Sequence, residues 1–287
     1  MQHLLIILLW FGIVATANAG IYSNNPPVQN NGELSYLNEF VGKFIIRSER
    51  KGIDGAIEDS FDNCTATLIA PKWILTSAHC LFPNTATPIE DPAEMRFARN
   101  INGKFEFFEL SGGGIMGNYP TLAHEDWVYL ELVNELLTTN DYPVVAKTDV
   151  NAWLELDGKI SIITYLTYVF PDGSRDEINS NQLQTTDKTC ATDFLRDSAL
   201  ETFPGKASNL NWKEFNKTYY GVSNCPSNVT SSGSPLVDAD GQIRAINSWQ
   251  HTGYVTKYFG ERIINAHLLS VSFYKAYEYI LDSSDNN

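Results

Sequence analysis

A chain of 287 residues, 43% of them hydrophobic, is long enough to bury a full core of one large or two small domains. Its 20 basic side chains against 34 acidic ones give a net charge of −14, which argues against a nucleic-acid binder and for solubility at neutral pH. The acidic residues are spread along the chain, so they read as a solvated surface.

Residues 1–19 contain no Asp, Glu, Lys or Arg, although the opening Met1-Gln2-His3 lacks the basic residue usual in a leader. An apolar run over 4–14 is followed by Ala17-Asn18-Ala19, the small-residue pattern of a signal-peptide cleavage site. The run is too short for a comfortable span and no later one is longer, so the expectation is export with no stable membrane insertion. Residues 20–39 are polar and turn-rich, with Asn24-Asn25-Pro26-Pro27 and Asn30-Asn31-Gly32, and read as an extended arm or short propeptide. From Phe40 short apolar runs at 40–46, 64–69, 73–75, 105–110 and 127–132 alternate with turn signals, an all-β cadence. Ser111-Gly112-Gly113-Gly114 is Gly-rich, but no Lys follows and no helical pattern opens, which argues against a phosphate loop. Residues 142–151 read as a crossing between halves. Strands resume at 159–169 and at 182–187, residues 191–224 read as long loops, and 236–237 with 243–249 form a hairpin. In the tail at 268–281, Leu269, Phe273, Tyr277, Ile280 and Leu281 recur at helical spacing, which predicts an amphipathic closing helix. Periodicity alone supports a mostly β chain with one late helix.

The stretch from Cys64 to Cys80 carries the chemistry. Thr65 to Ile69 is β-branched and apolar, Pro71-Lys72 punctuates, and Trp73 to Leu75 is apolar again, so two strands joined by a turn deliver His79 to a strand end beside Cys80. A base needs to be held still in this way. The segment Thr76-Ser77-Ala78-His79-Cys80 resembles the stretch around the base of chymotrypsin/trypsin-like serine peptidases. The resemblance implies two antiparallel six-stranded β-barrels with a C-terminal α-helix. It divides the chain into a signal peptide at 1–19, an arm or propeptide at 20–39, barrels at 40–147 and 148–267, and a helix and tail at 268–287.

It also implies a triad in the chain order His, Asp, Ser. His79 is the base. Asp126, just before the apolar strand Trp127-Val128-Tyr129-Leu130, is the carboxylate, with Glu125 and Asp141 as alternatives. Ser232, in Ser231-Ser232-Gly233-Ser234-Pro235, is the nucleophile; this core is closest to the bacterial glutamyl-endopeptidase-like branch. The oxyanion hole falls to the N–H groups of Thr230 and Ser232, and substrate binding to Ser227, Ser248, Trp249 and Gln250. Four cysteines allow three pairings; the local ones, Cys64–Cys80 and Cys190–Cys225, are expected. No cysteine pair has zinc-site spacing, so neither a metal nor another cofactor is expected.

Three departures from the family pattern stand out. Thr230 occupies a position where the family uses Gly, whose backbone is freer than that of a β-branched residue. Ser231 replaces the Asp that pairs with a new N-terminus in trypsin-type zymogens, and Ser248 replaces the His that precedes the pocket Trp in glutamyl endopeptidases. The expectation is a secreted, monomeric serine endopeptidase acting on proteins or peptides, and not on nucleic acid. A peptidase-like binding protein with weak or no catalysis is the alternative. Three glycosylation sequons begin at Asn63, Asn216 and Asn228.

Overall fold

The computed structural model describes residues 28–51, 57–82, 94–119, 125–166, 168–169, 175–176, 182–186, 190–194, 220–225, 227, 229–252 and 263–284. The leader, residues 195–219 of the stretch read as long loops, and the sequon asparagines Asn216 and Asn228 lie outside them. Val28–Gln29 (β1) leads into a 3₁₀ turn, Glu33–Glu39, that buries Leu34 and Leu37. Buried Asn30 fixes this turn. Its Nδ2 donates to the Leu34 carbonyl at 3.0 Å and to Asn38 Oδ1 at 2.8 Å, and Asn38 Nδ2 donates back to the Asn30 carbonyl at 2.9 Å. The described part of the arm is therefore packed onto the fold.

Six strands follow: β2 (Val41–Lys51), β3 (Ile57–Ala70), β4 (Trp73–Thr76), β5 (Met95–Ile101), β6 (Lys104–Met116) and β7 (Val128–Leu132). They close into a barrel in the order β2-β3-β4-β7-β6-β5, which pairs every edge. Phe44, Ile46, Leu68, Ile74, Leu75, Phe97 and Val128 are buried in its core. β5 has no counterpart among the runs read from the sequence. Its pattern is obscured by Arg99, a buried arginine whose Nη1 donates to the Glu39 carbonyl at 2.7 Å and whose guanidinium lies 5.4 Å from the Phe108 ring centroid. The glycine run forms a bulge in β6, where the register slips between Leu110 and Gly114. Gly112 has φ +85°, and a Cβ on Gly114 would lie 2.8 Å from the Tyr129 carbonyl oxygen, so glycine is what lets β6 bend over β7.

The crossing is stitched to the second half through Ile243. The Ala146 N–H donates to its carbonyl at 3.0 Å, and its own N–H donates to the Val144 carbonyl at 2.8 Å. A short helix, α1 (Val150–Leu154), starts on Asp149, whose Oδ1 accepts the Ala152 N–H at 2.9 Å. It buries Trp153, which donates from Nε1 to the Asp193 carbonyl at 2.9 Å. The remaining strands are β8 (Ser161–Tyr165), β9 (Tyr168–Val169), β10 (Arg175–Asp176), β11 (Leu183–Thr185), β12 (Thr192–Phe194), β13 (Tyr220–Ser223), β14 (Pro235–Val237), β15 (Ile243–Thr252) and β16 (Ile263–Leu269).

Apart from the β9–β10 ribbon, these strands and β1 form one curled sheet in the order β1-β11-β8-β14-β15-β16-β13-β12. The ring is less complete than the second six-stranded barrel expected from the sequence. β11 and then β1 occupy the edge of β8, while β12 pairs with β13 at the far end of the sheet; among the described residues the bridge Ile160↔Cys190, just before β12, links that end back to the start of β8. The disulfides are Cys64–Cys80 and Cys190–Cys225. The closing helix, α2, spans Tyr274–Ser284. It begins later than the periodicity suggests because Leu268 and Leu269 pair in the sheet with Ile246 and Ala245. Phe273, Tyr277 and Ile280 are buried, and the Tyr129 hydroxyl on β7 donates to the Phe273 carbonyl at 3.4 Å, so the tail locks onto the first barrel. Among the described residues no helix is long and apolar enough to cross a membrane.

Candidate active site

β4 ends at Thr76, and a 3₁₀ turn over Ala78–Leu81 projects His79 from the barrel rim. Asp126, in the loop just before β7, is fully buried. His79 meets it twice: its backbone N–H donates to Oδ1 at 2.7 Å, and its ring Nδ1 lies 2.8 Å from Oδ2. The Ser248 hydroxyl also donates to Oδ2. A buried carboxylate is costly unless its lone pairs are met, and here three donors meet them. With Nδ1–H donating to the carboxylate, the ring is held in the tautomer whose Nε2 is an acceptor pointing away from Asp126. The His79 side chain is 23% exposed, so the ring reaches the surface. Tyr119 packs beside it at 6.4 Å between ring centroids, and its hydroxyl pKa is pushed up by burial and then by the Asp126 charge.

The other carboxylates considered lie elsewhere. Glu125 accepts from Trp127 Nε1 at 3.2 Å, and burial raises its pKa. Asp141 is exposed just before the crossing. Cys64, Cys80 and His79 bring ligand-type atoms within 4.8 Å of one another, but both sulfurs are in the disulfide, and a metal needs thiolates.

Ser232 enters the same place from the second half. The Thr65 N–H donates to its carbonyl at 2.8 Å, and the next N–H, of Gly233, donates to the Asn247 carbonyl at 2.7 Å. That carbonyl also accepts from the Ser77 hydroxyl at 2.9 Å. Gly233 has φ +79°, and a Cβ there would lie 2.2 Å from Thr76 Oγ1 and 2.3 Å from the Thr65 carbonyl oxygen. Only glycine lets the serine turn come this close to the strand end that carries His79.

Uncharged side chains hold the turn before Ser232. Ser231 is fully buried; its hydroxyl donates to Ser227 Oγ at 2.7 Å. Asn247 Nδ2 donates to the Ser231 carbonyl at 3.1 Å and to Ser227 Oγ at 3.3 Å. An Asp at position 231 would need a cation here; a neutral network occupies its place. Asn247 carries much of this turn, and its sequence signal is slight: a polar residue inside the apolar run at 243–249.

Two expectations change. The N–H groups of Thr230 and Ser232 were expected to form an oxyanion hole, but Val229–Ser231 is a 3₁₀ turn. Thr230 does not take the left-handed backbone that a glycine could, since Asn102 is the sole non-glycine with positive φ among the described residues. Ser227 and Ser248 were expected in the substrate pocket, but both are buried with their hydroxyls engaged, Ser227 by Ser231 and Ser248 by Asp126. Ser248 sits where the β15–β16 register slips between Asn247 and Trp249. Such a bulge re-aims a side chain. The backbones of Trp249 and Gln250 continue β15, and their side chains lie outside the described residues.

A closed β-barrel beside a curled antiparallel sheet, with a C-terminal helix and a buried Asp on a rim histidine, defines a chymotrypsin-like fold. The sequence matches the profile of the Trypsin family over residues 47–261, and the chain belongs to that family. No curated protein sequence matches it. Among solved structures it is similar to the scabies mite inactivated protease paralogue S-D1, at 10% identity and TM-score 0.54, covering 93% of this chain and 96% of that one. It is also similar to the scabies mite inactivated protease paralogue S-I1, at 10% identity and TM-score 0.53, covering 89% and 99%. A third likeness is to GrC, at 16% identity and TM-score 0.51, covering 92% and 99%. At these identities the likeness speaks to the fold.

Proposed function

We propose that this chain is a secreted serine endopeptidase that hydrolyses peptide bonds through an acyl-enzyme on Ser232. The observation that carries this is Asp126, fully buried yet supplied with donors from His79 and Ser248. A carboxylate so placed prepares an imidazole to take a proton. His79 Nε2 accepts the Ser232 hydroxyl proton as Oγ bonds to the substrate carbonyl carbon. The resulting imidazolium gives that proton to the departing amine as the C–N bond breaks. Water, deprotonated by the same nitrogen, then releases the acid and restores Ser232. No cofactor enters. A fluorophosphonate probe tests the assignment: wild type should be labelled and Ser232→Ala should not. Equal labelling of both would remove Ser232 from the role.

Residues 221–235 contain no Asp or Glu, so a basic P1 side chain would lack a buried partner. Ser248 stands where a histidine would receive Glu, so the likeness of Ser232-Gly233-Ser234-Pro235 to the glutamyl-endopeptidase branch does not extend to glutamate specificity. We therefore expect cleavage after uncharged residues on a mixed peptide library. Dominant cleavage after Arg, Lys or Glu would overturn the neutral pocket and leave the triad untouched. Export fits the apolar leader and the two disulfides. The protein would act as a monomer on protein or peptide substrates. A second reading, a peptidase-like binding protein with little catalysis, is favoured by the 3₁₀ turn at Val229–Ser231 and by the two structural neighbours described as inactivated paralogues.

A further inference from the structure

We propose that the Asn247 side chain positions the nucleophile: it sets the Ser232 turn in the chain as it stands, so that the site does not wait for a new N-terminus to be freed. This rests on the serine-peptidase reading above.

Asn247 is buried on β15, in the apolar run of Ile243, Ala245 and Ile246. It brackets Ser232. Ahead of the serine, Nδ2 lies 3.1 Å from the Ser231 carbonyl, 3.1 Å from Ser231 Oγ and 3.3 Å from Ser227 Oγ. Beyond it, the Gly233 N–H donates to the Asn247 carbonyl at 2.7 Å, and the Asn247 N–H donates to the Ser234 carbonyl at 2.8 Å. The Asn247 carbonyl also accepts the hydroxyl of Ser77, two residues before His79, at 2.9 Å. One residue thus holds both neighbours of the nucleophile against the strand end that carries the base.

The Ser231 carbonyl can only accept, so the NH₂ group of the amide must face it. Oδ1 is then buried with no partner among the described residues, a cost that an apolar residue in this run would avoid. The backbone bonds of Asn247 need no amide. What the amide adds is its grip on the Ser231 carbonyl. That carbonyl belongs to the planar peptide joining Ser231 to Ser232, so holding it fixes the direction of the Ser232 N–H and the point from which the serine side chain departs. Asn247 is a positioning residue, acting through the backbone of Ser232.

A freed ammonium could be buried beside this turn only against a carboxylate. Among the described residues the buried carboxylates are Asp126 and Asp238. Asp126 serves His79 and Ser248, and Asp238 serves Arg244, whose Nε and Nη2 both lie 2.7 Å from Oδ2. The arm from Val28 is itself committed elsewhere, with Val28 paired to Thr185 and the Asn30 N–H donating to the Leu183 carbonyl at 3.2 Å.

The test measures fluorophosphonate labelling, kcat and KM for wild type, Asn247→Ala and Asn247→Asp, with thermal unfolding as the check on folding. A chain with a tag fused ahead of Gly20, shown intact by mass spectrometry, should label as fast as the same chain with the tag removed. Asn247→Ala should label roughly tenfold to a hundredfold more slowly, and lose in kcat while KM stays within about twofold. Asn247→Asp keeps the volume and carries the comparison if the alanine variant does not fold. Its carboxylate cannot donate to the Ser231 carbonyl but the protonated acid can, so its labelling rate relative to wild type should rise as pH falls from about 8 to about 6. A merely structural Asn247 would lower the unfolding temperature without that kcat loss or that recovery. If the folded variants label at the wild-type rate, or if label appears only on chains cut ahead of Val28, the proposal is wrong and the serine-peptidase reading stands. If neither intact nor cut wild type labels, that reading fails and takes the proposal with it.

Discussion

Asp126→Asn should lower turnover by about ten-thousandfold while the fold stays intact. The size follows from what the carboxylate does at each oxygen. Oδ1 accepts the His79 backbone N–H, and an amide oxygen can still do so. The NH₂ group of the amide then faces Nδ1 and Ser248 Oγ in place of Oδ2. It is a donor, so it forces His79 into the tautomer that carries the proton on Nε2, and that nitrogen can no longer take one from Ser232. The volume is unchanged, so thermal unfolding should move little. Steady-state kinetics on a neutral P1 substrate check this. Turnover within about tenfold of wild type would take Asp126 out of the role assigned to it.

Acid should destabilise the protein through His267. This histidine, on β16, is fully buried; Nε2 lies 2.6 Å from Ser223 Oγ, and Nδ1 has no partner among the described residues. Burial lowers its pKa to about 3 from 6.5. The unfolded chain therefore binds a proton near pH 6.5 that the folded chain refuses until about pH 3. The stability associated with neutral His267 is complete above the unfolded pKa and is lost as pH falls through that window, at about 1.4 kcal/mol per unit. Between pH 7 and pH 4.5 the loss is about 2–3 kcal/mol from this group. Urea unfolding of wild type and His267→Gln over that range isolates it, because other titrating groups contribute equally to both. Parallel pH profiles for the two proteins would sink the prediction.

Much of the first barrel was legible because its strands are short apolar, β-branched runs bounded by turn residues. The runs at 64–69 and 73–75 became β3 and β4, and the strand after Trp127 became β7. β5 was not legible, since Arg99 breaks the apolar pattern and is tolerated inside only because it donates to the Glu39 carbonyl and lies against Phe108. The start of the closing helix was misjudged for a related reason: Leu268 and Leu269 suit a helix by spacing, but the neighbouring strand claims them. At the site, residue types pointed to His79, Asp126 and Ser232. The hydroxyls of Ser227 and Ser248 were assigned to a pocket because the sequence holds no sign of the buried partners that engage them.

The sequence by itself determined the family, most of the strands of the first barrel and the two local disulfides. Each depends on residue type at short range: an apolar, β-branched run between turn residues, or a cysteine close in the chain. Tertiary structure alone decided which carboxylate sits on His79, how far the second sheet closes, and that the hydroxyls of Ser227 and Ser248 are engaged inside. Those outcomes depend on contacts between residues far apart in the chain. Asp126 meets a Ser248 hydroxyl from the other half, and Thr230 is held by Thr65 and Tyr165 from both halves at once. Local propensity does not encode such pairings, because each partner is satisfied only once the two halves have come together.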